Sequence, residues 1–95
     1  MSDYTLTVTT FAGPPVVEPR KAQRCKLLEE AAEAFAAAQE ADDHPDVGWE
    51  CVVADELADT IQAALNLAAI HGITAADMSQ AMARCKQRNH ERGRC

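Results

Sequence analysis

An all-α fold, with helices packed as a bundle whose core self-association completes, is what three features of this sequence predict. The spacing 4-3-4-3-4 from Val52 picks out Val52, Glu56, Asp59, Ala63, Asn66 and Ile70, which fall along one stripe of a helix. The remaining faces carry Val53, Leu57, Ile61, Ala64, Leu65, Leu67, Ala68 and Ala69, and a helix apolar nearly all round is normally buried. A chain of 95 residues with 4% aromatics buries only a modest core alone, so self-association suits it. Helix start and stop signals, finally, divide the chain into three helical stretches behind an extended N-terminal arm.

Residues 1-17 are expected to form that arm. Tyr4, Leu6 and Val8 alternate with Thr5, Thr7 and Thr9, a strand-like or extended pattern that Gly13-Pro14-Pro15 ends. With nothing local to pair with, such a segment is expected to lie on the bundle or on a partner chain. Residues 18-95 make up the helical domain. Its first helix should begin near Pro19, which suits a first turn, and run to about Ala41. Leu28, Ala31, Ala32 and Phe35 would give it an apolar face, with Glu29, Glu30 and Glu33 opposite and Lys26 pairing Glu30 at i,i+4.

Asp42-Asp43-His44-Pro45-Asp46 reads as a turn, because Pro45 disfavours helix at His44. The second helix is expected from Val47 or Gly48 to His71, with Gly72 as its stop. Thr74 would cap the third, with Asp77 at the third helical position and Ile73 and Met78 placed for a hydrophobic staple. Met78, Ala81, Met82 and Cys85 would face inward, before the chain turns basic from Lys86 to Arg94.

Charge is unevenly placed. The formal net charge is −6, yet all nine Lys and Arg lie in Arg20–Lys26 and Arg84–Arg94, and no basic residue stands between Leu27 and Ala83. Twelve of the fifteen Asp and Glu lie between Glu29 and Asp77. That centre must face water, meet the basic ends or bind cations, and nucleic acid is not a partner it suits. Cys25, Cys51, Cys85 and Cys95 form no C-x-x-C pair and no zinc pattern. The N-terminus lacks a secretory signature, and Thr60 to Ala76 is too short and polar to span a membrane, so a reducing cytoplasm is the expected setting.

Two carboxylate pairs, Glu30 with Glu33 and Glu56 with Asp59, are spaced i,i+3 so that each pair projects from one helix face. Side by side, the two helices would gather four like charges, a conflict that divalent cations relieve. Oxygen-only donors favour Mg²⁺ or Mn²⁺ over zinc. A di-iron bundle would add Glu-x-x-His motifs, which are absent, and His44, His71 and His90 stand outside both pairs. Carboxylate-held Mg²⁺ takes remaining ligands from water and substrate phosphates, and Lys86, Arg88, Asn89 and Arg92 are donors of the type that hold phosphate oxygens. The combination suggests phosphoanhydride hydrolysis by a metal-activated water. Plainer readings stand beside it: a solvated acidic face on the first helix, and a basic tail that suits a helix C-terminus.

The order Glu29-Glu30-x-x-Glu33, twenty-two residues, Glu56-x-x-Asp59, followed by Lys86-x-x-Asn89-x-x-Arg92-Gly93, resembles the signature of the MazG-like all-α nucleoside triphosphate pyrophosphohydrolases. The resemblance runs from about Gln23 to Gly93. It implies Mg²⁺-dependent cleavage of a nucleoside triphosphate, or deoxynucleoside triphosphate, between the α and β phosphates, giving a monophosphate and pyrophosphate in nucleotide-pool housekeeping. By motif position it implies Glu30, Glu33, Glu56 and Asp59 as metal ligands, and Glu29 on a further ion or orienting the water. Lys86, Asn89 and Arg92 would contact phosphates, and Trp49, Asn66 and Gln23 are candidates for base or sugar. It also implies antiparallel helices forming a four-helix-bundle core completed by oligomerisation, built by two or more chains as a dimer or tetramer. A phosphoribosyl-ATP pyrophosphohydrolase-like enzyme and a non-catalytic helical interaction module with a structural cation are the alternatives.

Overall fold

The computed structural model describes residues 3–11 and 19–93. Three helices are present, α1 (Pro19–Asp43), α2 (Glu50–Ile70) and α3 (Ala75–Glu91), and no strand occurs among the described residues. The fold is therefore all-α. The expected Gly13-Pro14-Pro15 stop and the boundary between arm and helical domain lie outside the described residues, as does Cys95. Among the described residues, no helix is long and apolar enough to cross a membrane.

α1 starts at Pro19 as expected and runs two residues past Ala41, to Asp43. α2 begins later than expected, at Glu50, because Gly48 has φ +76°, which a right-handed helix does not contain. Its C-terminal stop is Gly72, at φ +73°, with open space where a Cβ would stand. α3 carries the expected capping box: Asp77 N–H donates to Thr74 Oγ1, and Thr74 N–H donates to Asp77 Oδ2, both at 3.1 Å. Those two bonds hold the Asp77 carboxyl below the ordinary aspartate range.

α1 and α2 pack as an antiparallel hairpin. Glu30 lies against Thr60 and Glu33 beside Glu56, while Arg20 and Ile70 line one cavity and Ala41 and Val53 another. α3 packs on neither helix. The radius of gyration is 15.4 Å, against about 12 Å for a compact chain of this length, so the single chain is open.

The packing overturns several expectations about faces. On α1 the buried side chains are Glu30, Ala34 and Ala37, whereas Leu28, Ala31, Ala32 and Phe35 are exposed. Small alanines let the two backbones approach closely, and Glu30 shares their stripe, so the acidic face is not wholly solvated. On α2 only Ala63, Asn66 and Ala68 are buried, and Val52, Leu57 and Ile61 are open to solvent despite the helix being apolar nearly all round. Met78, Ala81 and Cys85 of α3 are half-buried and Met82 is exposed, so the expected inward face has no helix of the same chain to face. Among the described residues the fully buried apolar side chains are Ala34, Ala37, Ala63 and Ala68, with larger ones such as Leu65, Leu67 and Ile70 only half-buried.

The arm, residues 3–11, is extended without pairing as a strand, and it lies on α2. Phe11 N–H donates to Asn66 Oδ1 at 3.2 Å, and Gln62 Nε2 donates to Thr9 O at 2.9 Å.

Candidate metal centre

The carboxylates converge where α1 crosses the middle of α2. Oxygens of Glu30, Glu33 and Glu56 lie within 4.8 Å of one another. Glu30 comes from the inward stripe of α1 and is 6% exposed; Glu33, one turn on, reaches in from the rim; Glu56 is half-buried on α2. Thr60 Oγ1 ties the helices at this level, 2.9 Å from Glu56 O and 3.1 Å from Glu30 O, so its one proton donates to either carbonyl.

Only part of the negative charge is matched. Lys26 Nζ lies 2.7 Å from Glu30 Oε1, the i,i+4 pair expected from sequence. Glu30 Oε2 and Glu56 Oε2 are buried with no hydrogen-bond partner. Buried polar atoms are nearly always bonded, and two orphaned carboxylate oxygens in one cluster are an exception with a cost. The electrostatics agree. Glu33 titrates above the usual carboxylate range, first because Glu30 is adjacent, then through desolvation and the charges of Glu56 and Glu29, with Lys26 pulling the other way. The Glu30 hydrogen bond and charge in turn raise the Lys26 ammonium above its ordinary value. Three carboxylates with two free oxygens form an oxygen-only donor set of the kind hard divalent cations take.

The remaining candidates are distributed as follows. Asp59, expected in the interior seam, is exposed and stands outside the three-carboxylate cluster, because its position on α2 is turned toward the rim that carries Gln62 and Asn66. Glu29 is exposed on the outer flank of Glu33. Asn66 is buried, but its Oδ1 accepts from Phe11 N–H and from Gln62 Nε2 at 2.9 Å, so the arm uses that acceptor. Gln23 is half-buried with an unpartnered buried Oε1.

Trp49 is half-buried, its Nε1 buried and unpartnered, beside an open cavity of about 490 Å³ lined also by Ala41, Pro45, Glu50, Val53 and Leu57. Lys86, Asn89 and Arg92 lie on or just after α3, away from the cluster, with Asn89 Nδ2 donating to Cys85 Sγ at 3.6 Å. Thr60 and Gln62 were not singled out from sequence. A hydroxyl four residues after Glu56 was the available signal for the first, and nothing local marked the second. No family model, curated protein or solved structure matches this chain.

Proposed function

We propose that this protein is a Mg²⁺-dependent nucleoside triphosphate pyrophosphohydrolase of the MazG-like kind, acting as a homo-oligomer. The observation that carries this reading is the convergence of Glu30, Glu33 and Glu56 with two buried carboxylate oxygens left unpartnered. Mg²⁺, or Mn²⁺, suits that donor set, and Glu30, Glu33 and Glu56 would hold it. When bound, the ion supplies a Lewis acid for phosphate oxygens and lowers the pKa of a coordinated water. The chain's own groups do the rest. Glu29, exposed one turn before Glu33, would orient the attacking water, and Lys26 balances part of the cluster's charge. Asp59, exposed on the open side, would be available to hold a further ion. Lys86, Asn89 and Arg92 supply phosphate donors, with Trp49 and Gln23 near the nucleoside.

α3 does not pack on α1 or α2 of its own chain, so an assembly is the means by which its basic segment would meet the carboxylates. A four-helix bundle of two α1/α2 hairpins fits a core of alanines ringed by exposed Leu, Ile and Phe. The test is pyrophosphate release from a panel of ribo- and deoxynucleoside triphosphates and phosphoribosyl-ATP with Mg²⁺. Glu56→Gln is expected to lower turnover by at least about a hundredfold with helix content retained. Equal rates in the two proteins would dismiss the carboxylates as the active centre.

The alternative reading, a helical interaction module with a structural cation, draws on the same exposed apolar surface. It requires tight Mg²⁺ binding at the cluster with no turnover of any nucleotide.

A further inference from the structure

We propose that the N-terminal arm is a displaceable strap: its seat on the Gln62–Asn66 amide pair and occupancy of the neighbouring rim by a nucleotide exclude each other. The nucleotide is named on the strength of the hydrolysis reading above, and the strap regulates that same site.

Direction and spacing place the arm. Thr9 O accepts from Gln62 Nε2 and Phe11 N–H donates to Asn66 Oδ1, so the arm and α2 run the same way. A carbonyl and an N–H two residues apart point to the same side of an extended chain, which lets one helix face grip both. The two steps also match, since two extended residues advance roughly 6.6 Å and four helical ones about 6 Å. Residues 3–11 are extended throughout, without turn or bend. Carried back from Thr9 at that rate, the arm brings Leu6 and Thr7 level with Glu56 and Asp59. Asp59 shares its rim with Gln62 and Asn66, so a ligand reaching the carboxylates from that rim meets the arm.

The seat suits exchange of one partner for another. Asn66 is 5% exposed, and its Oδ1 takes two donors, Phe11 N–H and Gln62 Nε2. Removing the arm costs this buried amide one donor and costs Gln62 its acceptor, Thr9 O. A ligand that displaces the arm must therefore bring a donor and an acceptor side by side. Sugar hydroxyls and nucleobase edges carry both. Gln23 adds a further demand for a donor. By the register that sets Glu30 at Thr60 and Arg20 at Ile70, Gln23 lies level with Asn66 and Leu67, and its buried Oε1 has no partner while the arm is seated.

The grip is light. Tyr4 is 84% exposed, Leu6 60% and Phe11 62%, and among residues 3–11 Val8 alone is half-buried. The arm is thus held by backbone hydrogen bonds and not by burial of its large side chains. Such bonds contribute modestly in net terms, and ordering the backbone of each residue offsets them. A segment so balanced opens locally and yields to a ligand that makes the same bonds.

The test uses the full chain. Phe11→Pro deletes the one N–H that reaches Asn66 and keeps the backbone extended, while Phe11→Ala keeps that N–H and strips the exposed ring. Titration calorimetry with Mg²⁺ and the α,β-imido deoxynucleoside triphosphates of the four bases, which resist cleavage between the α and β phosphates, gives the affinities. Phe11→Pro is expected to bind about fivefold more tightly than wild type, and Phe11→Ala to stay within about twofold of it. In the wild-type chain, Phe11 amide exchange should quicken about fivefold at saturating nucleotide and stay unchanged with Mg²⁺ alone, a readout that needs no variant to fold. Equal or weaker binding by Phe11→Pro, as a flap closing over its ligand would give, would overturn the proposal. So would a Phe11 amide indifferent to bound nucleotide. Pyrophosphate release from cleavable nucleotides separates the two readings: binding and arm release without turnover end the hydrolysis reading alone, and turnover with equal affinities ends the strap alone. No nucleotide binding by either chain ends both.

Discussion

Glu30 and Lys26 form a one-sided pair: the ammonium lies 2.7 Å from Oε1, while Oε2, equally sealed from water, meets nothing. A lone ammonium on the exposed flank of α1 therefore matches half of a carboxylate that is almost fully buried. Lys26→Ala is expected to lower the thermal midpoint in EDTA, since it leaves that carboxylate unpaired, and millimolar Mg²⁺ should recover most of the loss. A midpoint equal to wild type in EDTA would show that the pair carries no weight.

Glu33 gives a pH dependence with a definite sign. Its folded-state pKa is raised, so between the ordinary glutamate value and the raised one the native state holds more protons than the unfolded chain. Stability contributed by this group is complete below that window and falls as pH rises through it. Calorimetry in EDTA should show the midpoint declining across the window. Glu33→Gln should flatten the decline, and so should saturating Mg²⁺, by favouring the ionised carboxylate.

Thr60→Val keeps the shape of the side chain and removes the hydroxyl that reaches from α2 to the Glu30 carbonyl. A net loss of about 1 kcal/mol in urea unfolding is expected for one intramolecular hydrogen bond. Because the same contact sets the spacing of Glu30 and Glu56, Mg²⁺ affinity measured by titration calorimetry should fall about tenfold. Unchanged affinity would separate the hydroxyl from the carboxylate geometry.

Thr74→Ala removes the cap of α3, at a cost of about 1 kcal/mol to that helix. Since α3 packs on neither α1 nor α2 of its own chain, amide exchange should quicken in residues 75–78 and stay unchanged around Ala34, Ala37 and Ala63. Quickening spread through all three helices would mean that α3 is locked to them in the assembly.

Chain-local signals were sound guides wherever one residue's own chemistry decides. Pro19 starts α1, Gly72 stops α2, and the Thr74–Asp77 box caps α3, because each depends on backbone geometry or on a hydrogen bond within a single turn. The positive φ at Gly48, which delays α2 to Glu50, has no such signature, since glycine tolerates either sign. Of the candidate site, the i,i+3 spacing was enough to group Glu30 with Glu33 and to foresee their meeting with Glu56. The interior position expected for Asp59 is not seen: it lies about 60° round α2 from Glu56 and is exposed.

What the amino-acid sequence determined by itself was the helical content, the helix ends, and the uneven charge that leaves an acidic middle between basic flanks. Which apolar stripe is buried was decided only by the tertiary structure. Periodicity marks every stripe that is able to pack, while contact selects the one whose small residues allow backbones closest together. Here that stripe is Glu30, Ala34 and Ala37, and choosing it both buried a carboxylate and left Leu28 and Phe35 uncovered.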